Sequence, residues 1–195
     1  MKYLKWIIGI SAVVFVLLIA SFFIIQHAQQ SVGEDLPKLY EVPEFTFMQQ
    51  NGTTFSKAEL LGKVNVVDFI FTNCKGPCPM MSTRMAEMYE AFASSNNVQF
   101  VSISVDPARD SLETLQEYAS RFNVNDNRWA FLRTQKPEVV DLYENGFKLG
   151  GELPYEHSTK FILVDREGVI RGYYDSDDKI GLKHLSEHVK ALLKG

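Results

Sequence analysis

From Trp6 to Ile25 the chain reads WIIGISAVVFVLLIASFFII, 20 residues without a charged side chain. At 1.5 Å rise per residue a helix of that length covers about 30 Å, the thickness of a bilayer's hydrocarbon core. The run therefore predicts a membrane anchor over residues 6–25. Lys2 and Lys5 precede it, whereas Gln26, His27, Gln29 and Gln30 follow it with no basic cluster. Positive-inside logic then leaves residues 1–5 in the cytoplasm and everything after the anchor on the extracytoplasmic side of the cell membrane. A cleaved signal peptide is the rival reading, but its apolar stretch is usually about 7–15 residues and no good A-x-A site follows this one. With no cysteine near the segment, attachment of lipid to an N-terminal cysteine is closed to it.

That topology gives the two cysteines of the chain, Cys74 and Cys78, an extracytoplasmic setting. A structural staple between them would close only a short loop, where the loss of unfolded-state entropy is smallest. A reversible thiol site or a metal site fits better. Of the 195 residues, 46% are hydrophobic and 23% charged, which excludes a disulfide-rich scaffold, a collagen-like repeat and a disordered tail. A net charge of −4 offers nothing that tracks a phosphate backbone and argues against nucleic-acid binding.

Residues 26–43 (QHAQQSVGEDLPKLYEVP) are polar, contain Pro37 and Pro43, and read as a stem below a domain spanning 44–195. Phe45 and Phe47 alternate with polar neighbours before Asn51-Gly52, a hairpin turn. Val64 to Phe71 is the apolar, β-branched and aromatic run of a strand buried on both sheet faces. A helix follows from Pro79, with Met81, Met85, Met88 and Phe92 along one stripe. Val98 to Val105 is a second strand, and Asp106-Pro107 breaks it. Asp110 with Glu113 has the spacing of a capping box opening the next helix. Trp129 to Leu132 reads as a third parallel strand, and Pro137 opens a helix running to Leu149. Lys160 to Asp165 and Val169 to Tyr174 form a hairpin, and Leu182 to Leu193 closes the domain with an amphipathic helix. The order implies an α/β fold, a mixed sheet flanked by helices with an N-terminal β-hairpin.

A cysteine pair where a buried strand meets a helix N-terminus is chemically informative, because free N–H groups and the helix dipole favour a thiolate. Cys74 is the expected more acidic thiol. The C-x-x-x-C spacing suits two sulfurs about 2.3 Å from one soft ion, and Gly76 leaves enough backbone freedom for a disulfide as well. A third donor would come from His27, His157, His184 or His188. His27 lies in the stem, and His184 and His188 sit on a polar helix face. His157 occupies a Gly/Pro-containing loop ahead of a strand expected beside the cysteine loop; taken alone it is an ordinary loop histidine.

Three stretches, VVDFIFTNCKGPCP (66–79), VSISVDPARD (101–110) and EHSTKFILVD (156–165), resemble the SCO/SenC family, thioredoxin-like proteins of cytochrome c oxidase assembly, over residues 43–193. The resemblance implies a thioredoxin-like fold and one copper ion held by Cys74, Cys78 and His157. It also implies a recipient, the dinuclear copper site of an oxidase subunit on the same membrane face, and an upstream copper donor or thiol reductant. Two thiolates and an imidazole suit Cu(I), and an N/S set can hold Cu(II). Oxidising the thiols removes both sulfur ligands, so copper loading and the disulfide exclude each other.

The residues between the cysteines depart from the family's usual ones: Cys-Lys-Gly-Pro-Cys resembles thioredoxin's Cys-Gly-Pro-Cys with one residue inserted. Asp68, six positions before Cys74, corresponds to the carboxylate that assists proton transfer in thioredoxins. Asp68 is either a polar residue at a strand edge or, if buried, a carboxyl of raised pKa and a proton acceptor for Cys78. A membrane-tethered thiol-disulfide oxidoreductase without copper is therefore the alternative function. Peroxiredoxin-like peroxidase chemistry fits less well, since Phe71 stands three residues before Cys74, where that family has Thr or Ser. Met81, Met85 and Met88 read as core, Met80 as a residue beside the motif. Asp175, Asp177 and Asp178 read as a turn rather than a calcium loop, and Asp106 and Asp110 as strand breaker and helix cap.

Overall fold

The computed structural model describes residues 6, 10, 11, 13–24, 36–124 and 126–194. Residues 1–5, the expected cytoplasmic start, and 26–35 of the expected stem lie outside them, as do five positions of the expected anchor. Residues 13–24 are helical with exposed side chains. Among the described residues no helix is long and apolar enough to cross a membrane.

Eight strands make one sheet: β1 (Tyr40–Glu41), β2 (Thr46–Gln49), β3 (Thr54–Ser56), β4 (Val64–Ile70), β5 (Val98–Ser104), β6 (Trp129–Arg133), β7 (Lys160–Val164) and β8 (Val169–Asp175), in the order β1-β8-β7-β4-β5-β6-β2-β3. Every residue of β4 and β5 is buried, as two apolar runs at the sheet centre require. They pair in parallel from Val64↔Val98 to Ile70↔Ser104, and β6 continues the parallel set. Strand β7 lies antiparallel on the other side of β4. Among the described residues from 36 onward, four α-helices flank the sheet: α1 (Cys78–Ala91), α2 (Leu112–Ser120), α3 (Lys136–Asp141) and α4 (Lys179–Leu192).

Ring contacts show the two covered faces. Tyr89 of α1 meets Phe100, and Tyr118 of α2 meets Phe131. Phe69 points the other way, onto Tyr143 and Phe147 beyond α3. The predicted mixed sheet, the hairpin β2–β3 and the buried methionine stripe Met81, Met85 and Met88 are all present.

Local readings are corrected in three places. The fold starts ahead of Glu44: β1 pairs with β8, Val42 is fully buried, and the Arg171 guanidinium donates to the carbonyls of Pro37 and Leu36. The end of the expected stem is thus drawn onto the sheet by an arginine already paired with Asp165 at 2.9 Å and needing further acceptors. The cap of α2 is Ser111, whose Oγ accepts the Thr114 N–H, and Asp110 is turned inward. The helix opened by Pro137 does not continue regularly to Leu149. It widens to a π turn over Leu142–Gly146, closed by the Phe147 N–H on the Leu142 carbonyl. Helix α4 begins at Lys179 on an Asp178 cap, the role expected for a turn at that aspartate cluster.

Candidate metal centre

Strand β4 ends at Ile70, and the following loop turns at once: the Cys74 N–H donates to the Phe71 carbonyl at 3.2 Å. Helix α1 starts at Cys78, with Pro77 before it and Pro79 inside its first turn, where a missing N–H costs nothing. No side chain caps this N-terminus and no acidic residue occupies its first turn, so its N–H groups face the site unopposed. Both cysteines are free thiols, Cys78 buried and Cys74 partly exposed.

His157 reaches them from the loop ahead of β7. That loop makes a contact only glycine tolerates: at Gly151 φ is +118°, and a Cβ would stand 2.0 Å from the Glu156 carbonyl oxygen. Tyr143 fastens the loop at two points, its hydroxyl donating to the Gly150 carbonyl at 2.9 Å and accepting the Ser158 N–H at 2.7 Å. The imidazole is buried edge-on against Phe71, ring centroids 5.5 Å apart. Its Nδ1 lies 3.0 Å from the Ser158 carbonyl, which can only accept, so Nδ1 carries the hydrogen. The lone pair is then on Nε2, 3.2 Å from the Cys78 sulfur.

Cys74 Sγ, Cys78 Sγ and one ring nitrogen of His157 all lie within 4.8 Å of one another. Ligands about 2.3 Å (sulfur) and 2.0 Å (nitrogen) from a common ion fall within such a span, so the three fit a metal with little movement. Among the described residues they form the one group of three such donors. Burial pushes the Cys78 thiol up, with neighbouring Cys74 and Asp68 adding to the rise. Burial also holds the His157 imidazole below its ordinary value. At neutral pH the site therefore presents a neutral imidazole and, at Cys78, a protonated thiol that a thiophilic cation must deprotonate.

Asp68 sits in the middle of β4 between β5 and β7, wholly buried, which removes the strand-edge reading. Neither carboxylate oxygen has a hydrogen-bond partner. Burial raises its pKa to about 7, opposed by the nearby Ser102 hydroxyl on the adjacent strand. Ser102 Oγ itself accepts from Trp129 Nε1 at 3.0 Å. The other histidine pair behaves as a helix face: His184 is exposed, and His188 Nδ1 is 2.7 Å from the Tyr174 hydroxyl. Met80 is exposed beside the motif. Tyr143, which fastens the histidine loop, and Asp110, whose carboxylate accepts from Thr72 in the cysteine loop, carry no local sequence mark of those contacts. Only Asp110 lay inside a motif singled out by resemblance.

A family model described as SCO1/SenC matches residues 34–194. The chain belongs to the SCO1/SenC family. The SCO1 protein homolog of Bacillus subtilis is 31% identical over 162 residues, covering 80% of this chain and 84% of that protein. The structure of BsSco, described as a member of the Sco family of cytochrome c oxidase assembly proteins with a disulfide switch, is 30% identical. It superposes with a TM-score of 0.72 over 80% of this Sco-family chain and 95% of its own. Yeast Sco1 with copper bound is 27% identical, with a TM-score of 0.64 over 78% of this chain and 90% of that one. The mixed α/β fold of this Sco-family protein is accordingly the thioredoxin-like fold of those structures.

Proposed function

We propose that this Sco-family chain binds one copper ion through Cys74, Cys78 and His157 and delivers it to the dinuclear copper site of cytochrome c oxidase during assembly. The observation that carries the reading is the convergence of two thiols and one imidazole within 4.8 Å, from segments 79 residues apart in sequence. Copper bound to yeast Sco1, and BsSco's membership of a family of oxidase assembly proteins, support it. Here copper is cargo. His157 offers Nε2 with its lone pair already directed inward, Cys78 gives up its proton as its thiolate ligand forms, and Cys74 supplies the solvent-facing side through which the ion enters and leaves. An upstream copper donor or thiol reductant is needed to load or reduce the site.

The apolar run 6–25 supports a single-pass anchor with the N-terminus cytoplasmic. Residues 13–24 are helical and expose Phe15, Leu17, Leu18, Phe22 and Phe23, apolar surface that belongs in lipid. Such an anchor holds the domain on the membrane face where the oxidase subunit receives copper.

A second reading, a tethered thiol-disulfide oxidoreductase acting through Cys74 and Cys78, is favoured by one observation: the unpartnered buried carboxyl of Asp68, whose charge is felt at Cys78. In that reading Asp68 accepts the Cys78 proton as the thiolate forms. His157→Ala separates the two. A copper carrier loses tight copper binding and oxidase assembly with its disulfide-exchange rate kept; an oxidoreductase keeps both its exchange rate and its biological role. Reduced protein that never binds copper more tightly than a simple dithiol defeats the copper reading outright.

A further inference from the structure

In the loop carrying Cys74, Thr72 makes the side-chain hydrogen bond that ties the loop down, and what it holds is a carboxylate far away in sequence. Asp110 is completely buried. Its Oδ1 accepts the Thr72 hydroxyl at 2.6 Å, both carboxylate oxygens lie 3.3 Å from the Thr72 N–H, and its Oδ2 accepts the Ser104 hydroxyl at 2.5 Å. Ser104 Oγ in turn accepts the Asp106 N–H, and the turn 106–110 is closed by the N–H groups of Arg109 and Asp110 on the Asp106 carbonyl. Arg109 pairs with Asp106 instead, so Asp110 is satisfied by neutral donors aimed at it from the cysteine loop and β5. Because Ser111 caps α2, that task does not fall to Asp110.

A buried carboxylate is costly, and three such donors offset the cost only while Thr72 stays in place. The grip falls two residues ahead of Cys74, whose own N–H is bound one residue before Thr72, at the Phe71 carbonyl. From Phe71 to Cys74, the path of the chain is thus held by these bonds.

We infer that Asp110 is a positioning residue for the metal centre: through Thr72 it holds the Cys74 loop so that both sulfurs stay within reach of His157. The inference rests on the copper-site reading above and adds to it a residue that touches no ligand atom. A group that orients ligands in this way changes metal affinity by about 10- to 100-fold when removed.

The test uses the full-length chain in detergent, reduced. Cu(I) affinity is read by competition with a chromophoric chelator, Cu(II) by its thiolate charge-transfer absorption, and stability by thermal unfolding. Thr72→Val and Asp110→Asn are expected to weaken Cu(I) binding about tenfold or more and to shift the charge-transfer bands. Thr72→Ser, which keeps the hydroxyl, restores both. Ser111→Ala is expected to lower the melting temperature through its lost cap with copper binding unchanged, showing that destabilisation alone does not reproduce the effect. If Asp110→Asn does not fold, the Thr72 pair decides. The inference is overturned if Thr72→Val binds copper like the parent, with an unaltered spectrum, while His157→Ala loses binding. If His157→Ala also binds like the parent, the copper-site reading itself fails and takes this one with it.

Discussion

Replacing Asp68 by Asn removes an ionisable group from a site where burial outweighs the one nearby compensating group, the Ser102 hydroxyl. The carboxyl is fully buried, its oxygens have no hydrogen-bond partner, and its pKa rises from 3.8 to about 7. Between those values the folded protein keeps a proton that the unfolded chain has released, so folding stability falls as pH increases. The slope from this group is about −1.4 kcal/mol per pH unit, and the full penalty, reached near pH 7, is on the order of 4 kcal/mol. Below about pH 3 both states are protonated and the penalty vanishes. The Asn variant carries no such dependence. Its stability relative to the parent should match near pH 4, climb with pH and level off above 7 at an advantage of several kcal/mol, reduced by whatever the amide loses in its own unmet bonds. Urea unfolding of the two reduced proteins, followed by tryptophan fluorescence at half-unit steps from about pH 4 to 8.5, reads the difference directly. Two curves that stay parallel within about 1 kcal/mol would refute the reasoning, because a carboxyl without a shifted pKa contributes no slope. The same substitution bears on chemistry. If Asp68 accepts the Cys78 proton, its removal slows thiol exchange and leaves copper affinity nearly intact; equal loss of both contradicts that role.

Copper affinity should increase with pH through neutrality, since burial keeps the Cys78 thiol protonated and the metal must displace that proton, while His157 is already neutral. Competition titrations at pH 6, 7 and 8 check this, and a pH-independent affinity contradicts it. Arg171→Ala leaves Asp165 buried without its cation and frees the carbonyls of Leu36 and Pro37. It should cost about 3–5 kcal/mol in denaturant unfolding and open residues 36–42 to proteolysis; a loss under 1 kcal/mol counts against the pair. Gly151→Ala forces a Cβ onto the Glu156 carbonyl at positive φ. About 1–3 kcal/mol of strain in the histidine loop should weaken copper binding while the cysteine pair still oxidises normally, and unchanged binding would show that the loop does not set the His157 position.

The parts of this structure that were legible in the sequence are those whose cause is local. VNVVDFI can bury itself only as a central strand, and the proline-flanked cysteines must then fall where that strand gives way to a helix. His157 is different in kind: its loop could be placed, but its approach to Cys78 across 79 residues depends on how Tyr143 and Gly151 shape the loop, and only family resemblance singled it out. Strand β1 is two exposed residues with no periodicity to read, and the group that draws this segment onto the sheet is an arginine 134 residues away. Asp110 shows why a correct motif can still mislead. Asp110-x-x-Glu113 and Ser111-x-x-Thr114 are adjacent patterns of the same capping chemistry, and sequence spacing does not rank them. The ranking comes from Thr72, 38 residues upstream, whose N–H and hydroxyl leave the sheet needing a strong acceptor. A carboxylate meets that need and a serine does not, so the aspartate turns inward and the helix takes the weaker acceptor, Ser111, as its cap. The long-range demand decides the local structure, and that is how a residue with the spacing of a helix start comes to brace the loop that carries Cys74.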